Sequence, residues 1–278
     1  MQQKNDYLKQ LSIDEIKTCE TNILSTFADF CKKNNLRYYL SYGTLIGAVR
    51  HKGFIPWDDD IDVEMPRTDY NKLMELLSQQ NNLISENIEL KTPFSKNYQY
   101  PFAKVIDNTT FVQEVTMKKK YKTSVWIDIF PLDNIPDSQQ EAEKFIKKAK
   151  KMSKYYFYTI ERKYSGQDLI GKIKFNTIRL LLTPVYKIIN QKERIDTFAQ
   201  KYSSQNTQRF TELIANNYAE LSIRDNSFLA QTEIQFENKM YTTFANYDKF
   251  LSNYYGDYMV LPPEEARVLA HSLTAYKK

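Results

Sequence analysis

The stretch 42–67 reads YGTLIGAVRHKGFIPWDDDIDVEMPR. It places a glycine–threonine turn, a basic run and a block of acids next to one another. Four aspartates stand at Asp58, Asp59, Asp60 and Asp62. Asp60 and Asp62 flank Ile61 at strand spacing, so both side chains face the same way. Two carboxylates this close repel each other unless one stays protonated or a divalent cation sits between them. Mg2+ suits such a pair, because it takes one or two carboxylates together with phosphate oxygens. A third carboxylate from a neighbouring strand would complete the set. Asp128 is the candidate, as the lone charge in the apolar run TSVWIDIF at 123–130, where an unpaired carboxylate would be costly. A calcium loop beginning at Asp58 fails on its own pattern. Its sixth position should be glycine and its twelfth glutamate, whereas Val63 and Asp69 stand there. A plain acidic surface turn is the competing reading, and the glycine turn and Asp128 weigh against it.

Upstream, Gly43 and Thr44 end one element and open another, so backbone amides and the threonine hydroxyl could cradle a phosphate. The spacing is neither GxGxxG nor GxxxxGK[ST], which supports neither a dinucleotide fold nor a P-loop. Arg50, His51 and Lys52 lie between the turn and the acids, and Arg50 is the preferred phosphate ligand. His51, one of two histidines, is a candidate substrate contact or acid–base group. Lys104, isolated in PFAKVID, is either a second phosphate contact or a strand-edge lysine reaching for water. Trp57 offers a ring face to a quaternary ammonium group, or simply packs.

Outward from this stretch, Ser12 and Glu15 form a capping box that opens a helix, continued by Ile16, Ile23, Leu24, Phe27, Phe30 and Cys31 to about Asn34. Strands are expected at 36–42, 61–65, 87–92, 101–107 and 123–130, with a short helix at 44–49 and another at 69–80. This order predicts an α/β (α+β) domain. From 138 the pattern turns helical and basic. Residues 169–190 interleave leucine and isoleucine with Lys172, Lys174, Arg179 and Lys187, and Pro184 is expected to bend or break the helix. Such a helix either lies at a membrane interface or packs on the core. The aromatic-rich stretch 236–263 predicts a strand pair and a helix folding back on the body. Three segments follow: a core at 1–137, a basic helical segment at 138–235, and a C-terminal segment at 236–278.

Composition narrows the class. The 278 residues carry few glycines (6) and prolines (9) but many tyrosines (21) and phenylalanines (16), which excludes collagen-like and disordered chains. No apolar run approaches a membrane span, and the start MQQKNDYLKQ lacks the apolar centre of a signal peptide. Cys19 and Cys31 offer no disulfide framework, so a reduced, cytoplasmic setting is expected. The net charge of +5 is uneven, because 144–194 alone carries +11. A segment this basic beside a mildly acidic body points to an anionic partner. RNA is a poor fit, since the lysines lack the glycine–aromatic spacing of common RNA modules.

Taken together, YGTLIGAVRHKGFIPWDDDIDVEMPR, WIDIFPLD at 126–133 and YGDYMVLPPEE at 255–265 resemble the signature blocks of the LicD family, which includes the fukutin-related proteins. The resemblance implies a nucleotidyltransferase-like mixed sheet flanked by helices, with the basic helical stretch as an insertion. It also implies Mg2+-dependent transfer of phosphocholine, or a related phospho-substituent, from a CDP-activated donor to a hydroxyl of a teichoic acid, lipopolysaccharide or capsule glycan. CDP-choline is the favoured donor and Mn2+ the substitute ion. Carried over residue by residue, the turn falls on Gly43 and Thr44, the metal pair on Asp60 and Asp62, and the third carboxylate on Asp128. Glu64 stands where a small residue is expected. The glycan acceptors of such enzymes are built on lipid carriers, so peripheral attachment to the inner membrane face through 144–194 is expected, with no nucleic acid partner. A DxD glycosyltransferase using Mn2+ and a nucleotide sugar, or an idle nucleotide-binding module, are the alternatives.

Overall fold

The capping box at Ser12 forms as the sequence predicts. Ser12 Oγ accepts from the Glu15 amide (3.2 Å) and the Glu15 carboxylate accepts from the Ser12 amide (2.9 Å), opening α1 (Ile13–Lys33). The computed structural model describes residues 9–114, 123–161, 168–215, 218–268 and 273–278. The apolar side of α1, with Ile16, Ile23, Leu24 and Phe27, is buried in the main core.

The next strand is shorter than expected. β1 (Tyr39–Leu40) stops because α2 (Tyr42–His51) begins at once, with Tyr42 at φ 46° making the reversal. Gly47 lets α2 approach the chain that follows it, since a Cβ there would lie 2.4 Å from the Gly53 carbonyl oxygen. β2 (Asp62–Pro66) ends on proline, and α3 (Arg67–Ser78) starts at the next residue. β3 (Ile88–Lys91), β4 (Ala103–Asp107), β5 (Thr110–Glu114) and β6 (Trp126–Ile135) follow. Three helices come next: α4 (Gln139–Ile160), α5 (Leu169–Ile188) and α6 (Gln191–Ala199). The chain then returns to strands with β7 (Arg209–Glu212), β8 (Arg224–Asp225), β9 (Gln231–Phe236) and β10 (Lys239–Phe244). It ends in α7 (Tyr247–Tyr255) and β11 (Leu273–Lys277).

The main sheet has the order β1-β2-β6-β4-β3, with β7 also on β6 and β8 on β7. β2 and β6 run parallel, and the other pairs are antiparallel. This is the expected α/β (α+β) architecture, a mixed sheet flanked by helices. β6 runs five residues further than expected, through Pro131, and the ladder explains why it can. The Asp128 amide points to β2, donating to Ile61 O at 2.9 Å, so position 131 faces the other edge. There β4 has stopped at Ile129 and β7 begins at Leu132, so the missing N–H of Pro131 breaks no rung.

The stretch 138–235 is helical through α6 and then gives β7 and β8 to the main sheet. β5, which the sequence pattern did not reveal, pairs with β11 at the far end of the chain. The expected strand pair and helix of 236–263 are β9, β10 and α7, with β9 opening earlier at Gln231. The hairpin packs back on β1 through stacked Tyr39 and Phe244 rings 4.0 Å apart. Pro184 does not break α5. It is exposed near the helix end, so the lost N–H bond falls where water can serve the carbonyl. Positions 162–167 of the basic stretch lie outside the described residues. Beneath the sheet ends lie two buried ionic groups. Arg224 holds Glu64 bidentately (2.7 and 2.7 Å), and Arg67 bridges Asp133 (2.6 and 2.9 Å) and Asp196 (2.8 Å).

Candidate active site

Register brings the aspartates together. On the parallel strands β2 and β6, Asp62 stands directly opposite Asp128. Ile61, fully buried, anchors the start of β2 and leaves Asp60 and Asp62 half-exposed on either side of it. Burial first, then the charges of Asp60, Asp128 and Asp58, push the Asp62 carboxyl well above the ordinary carboxylate range. One oxygen each from Asp58, Asp59 and Asp60 also lies within 4.8 Å of the others. A sixth acid completes the group. Glu20, on the buried side of α1, is 3% exposed, and desolvation followed by Asp60 and Asp59 drives its carboxyl well upward.

Around this cluster the cations are specific. Lys104 is neither a free phosphate contact nor a strand-edge lysine, because β4 is an interior strand. Its Nζ is buried 2.8 Å from Asp128 Oδ1 and 4.0 Å from the Trp126 ring centroid. The other Asp128 oxygen accepts from Trp126 Nε1 at 3.1 Å, so both oxygens of the lone strand carboxylate are engaged, as its burial requires. Thr44 is buried, and its Oγ1 accepts from the Asp62 amide at 2.8 Å, tying the α2 N-terminus to the first residue of β2. Gly43 leaves room for Asp58. A Cβ at 43 would lie 2.6 Å from Asp58 Oδ2, so the carboxylate rests on the positive end of α2.

The other sequence candidates sit elsewhere. Arg50 stands in the last turn of α2, roughly 10 Å along the helix from Gly43. Its Nη1 donates to Tyr258 O at 2.9 Å. His51 meets Trp57 edge-on at 6.5 Å, and burial followed by the Arg50 charge lowers the imidazole pKa. Trp57 already carries a cation, the Arg267 guanidinium 5.4 Å from its ring centroid. Thus Asp60, Asp62, Asp128, Gly43, Thr44 and Lys104 gather at one end of α2, and Arg50, His51 and Trp57 at the other.

The donor set fits a hard divalent cation. Among the described residues, the oxygens that lie closest together, from Asp58, Asp59 and Asp60, are carboxylate oxygens with no histidine or thiolate among them, which suits Mg2+ or Mn2+ and argues against a structural zinc site. The mutual repulsion recorded at Asp62 is what such an ion would relieve.

Comparison with known proteins gives the arrangement its relatives. The profile described as "LicD/FKTN/FKRP, nucleotidyltransferase domain" matches residues 35–169. Over 275 residues the chain is 30% identical to the lipopolysaccharide cholinephosphotransferase LicD of Haemophilus influenzae, an alignment covering 97% of this chain and 99% of that protein. The chain belongs to the LicD family. Shorter matches reach an uncharacterized Rickettsia prowazekii protein (49% over 47 residues, 17% of this chain and 18% of that one). Another reaches mannosyltransferase regulator 4 of Saccharomyces cerevisiae (36% over 89 residues, 32% of this chain and 7% of that one). The LicD-family profile ends at Leu169, the first residue of α5, so it contains the whole aspartate cluster.

Residues outside that LicD-family match also border the site, and sequence reasoning missed them. Glu212, at the end of β7, and Tyr218, Tyr254 and Tyr255 share a cavity with Asp62. Glu20 had a visible signal, a lone charge on the otherwise apolar Ile16–Ile23–Phe27 side of α1. Glu212, Tyr218 and Tyr254 had none, because only the fold brings them within reach, whereas Tyr255 opens the block at 255–265.

Proposed function

We propose that this LicD-family chain transfers phosphocholine from CDP-choline to a hydroxyl of a lipopolysaccharide-type glycan and releases CMP. One observation carries the reading: Asp62 and Asp128 face each other on adjacent strands with Asp60 and Asp58 crowding the same point. The activity named for the full-length relative supports the choice of transferred group and acceptor. Asp60, Asp62 and Asp128 would hold Mg2+, which when bound supplies positive charge to the donor diphosphate. Thr44 fixes the Asp62 backbone, and Lys104 holds Asp128 in place beside it. The acceptor oxygen bonds to the phosphorus bearing choline, the bond from that phosphorus to the CMP oxygen breaks, and the acceptor proton passes to a carboxylate. Purified protein should release CMP from CDP-choline only with Mg2+ or Mn2+ present, and EDTA should stop it. Release of UDP from UDP-glucose with no reaction on CDP-choline would replace this reading with a glycosyltransferase.

The same proposal places the protein on an anionic membrane through α5. No helix among the described residues is long and apolar enough to cross a membrane, yet α5 is apolar on two sides. Phe175 packs inward against Tyr158 from α4. Leu169, Ile170, Ile173, Leu180, Leu181 and Ile188 are all more than half exposed. At about 100° per residue they fall within an arc of roughly 120°, with exposed Lys172 and Lys174 nearby. The protein should pellet with phosphatidylglycerol-containing vesicles at low salt and release as salt rises. Leu180→Glu with Leu181→Glu should weaken pelleting about tenfold or more while CMP release continues in solution. Equal pelleting of parent and variant would remove α5 from the contact.

A further inference from the structure

Beside the aspartates lies a cavity of about 290 Å³ whose walls are mostly aromatic. Tyr42 opens α2, Phe130 projects from β6, Tyr254 and Tyr255 close α7, and Tyr218 comes from the loop after β7. The rings stand at steep angles to one another. Tyr42 meets Tyr254 at 5.4 Å and 62°, Tyr42 meets Phe130 at 6.2 Å and 81°, and Tyr218 meets Tyr254 at 6.3 Å and 88°. Rings set this way enclose a space rather than stacking it shut.

Two acids share this lining, Glu212 and Asp62, and among the described residues no basic side chain does. Glu212 is 1% exposed, and its Oε1 accepts from the Ile214 (2.6 Å) and Ala215 (2.9 Å) amides, which fix its direction. Burial, opposed by those amides, pushes its carboxyl up to about 7. A bulky cation arriving in the cavity would favour the charged form. Aromatic walls with acids among them suit an ammonium that needs no hydrogen-bond acceptors around it. A primary ammonium would need three, and a neutral polyol would leave its hydroxyls unpaired. The volume lies at the small end of ligand pockets, large enough for a head group and too small for a nucleotide. Asp62 belongs both to the cavity and to the carboxylate cluster, so a group held here lies next to the transferred phosphorus.

We propose that this cavity, walled by Tyr42, Phe130, Tyr218, Tyr254 and Tyr255 and floored by Glu212, binds the quaternary ammonium of the donor and selects a choline head group over neutral alditols. The assignment rests on the transferase reading above. It displaces Trp57 as the ammonium partner, whose ring already faces Arg267.

The test is calorimetric titration with Mg2+ present, using CDP, CDP-choline and the uncharged carbon analogue in which a tert-butyl group replaces trimethylammonium. CDP-choline should bind about tenfold more tightly than either of the others. Glu212→Gln should remove the preference for the charged group while CDP affinity stays the same. Tyr218→Ala, a change at a side chain 62% exposed, should weaken CDP-choline alone, and it decides the matter should Glu212→Gln fold poorly. Equal affinity for CDP and CDP-choline, or variants that lower both alike, overturns the cavity assignment and leaves the transferase reading standing. Failure of every CDP compound to bind overturns that reading, and this assignment with it.

Discussion

Asp62→Asn should lower CMP release on the order of a thousandfold and leave the fold intact or slightly more stable. Both halves follow from the same crowding. Burial and the charges of Asp60, Asp128 and Asp58 hold the Asp62 carboxyl above its ordinary range, so its ionised form costs stability when no cation is bound. The sign is fixed. A folded-state pKa raised above the unfolded value gives stability that is fully present below the ordinary carboxylate value and is lost as pH climbs from there through the raised folded-state value. Asparagine, carrying no charge, escapes that loss. The metal-free variant should therefore melt at or above the parent temperature near neutral pH. In the parent, the rise in melting temperature on adding Mg2+ should grow as pH increases through the same window. Parallel activity assays and melting curves, with and without Mg2+, read all three effects. A variant that keeps a tenth of parental turnover would take Asp62 out of the machinery.

The second large effect is structural. Arg224→Met should cost about 3–5 kcal/mol, or roughly 10 °C in melting temperature, because it strips a fully buried carboxylate of its bidentate partner. Glu64 would keep only the Ser41 hydroxyl (2.7 Å) and the Tyr42 phenol (3.0 Å). Replacing both ions, Glu64→Leu with Arg224→Met, should recover most of the loss, since the apolar pair carries no stranded charge. The rings of Phe244 and Phe250, 4.7 and 4.4 Å from the Arg224 guanidinium carbon, already form an apolar surround for such a pair. Denaturation of the two single variants and the double variant measures the coupling directly. A single variant within about 1 kcal/mol of the parent would mean that the pair does not brace β2.

Much of this site could be read along the chain because its residues are close in sequence. The spacing of Asp60 and Asp62 and the isolation of Asp128 in an apolar strand are local patterns, and the sheet sets them in register. The capping box of α1 is equally local. What escaped detection depends on partners far apart. Lys104 reads as a lone lysine in a strand until β6 is laid beside β4 and pairs it with Asp128. Arg50 looks free for phosphate until the chain more than 200 residues later offers it the Tyr258 carbonyl. Glu64 breaks the expected pattern in sequence, and its explanation lies 160 residues downstream in Arg224. β5 and β7 carry no strong alternation, and their pairing with β11 and β6 is decided by the sheet rather than by their own composition.

β6 also bears on how the chain is made. Its ladder takes partners from 62–66, 103–106 and 209–212. During synthesis, then, the centre of the sheet must wait for more than two hundred residues to emerge, and Glu64 waits longer still for Arg224. Contacts this distant in sequence close slowly, because the loop entropy is lost before the pairing is gained. A nascent chain stopped after β6 would hold a buried carboxylate with no counter-charge and an open strand edge where β7 belongs. Both are features of aggregation-prone intermediates. Assembly of the aspartate cluster is therefore a late event, coupled to the arrival of the C-terminal third.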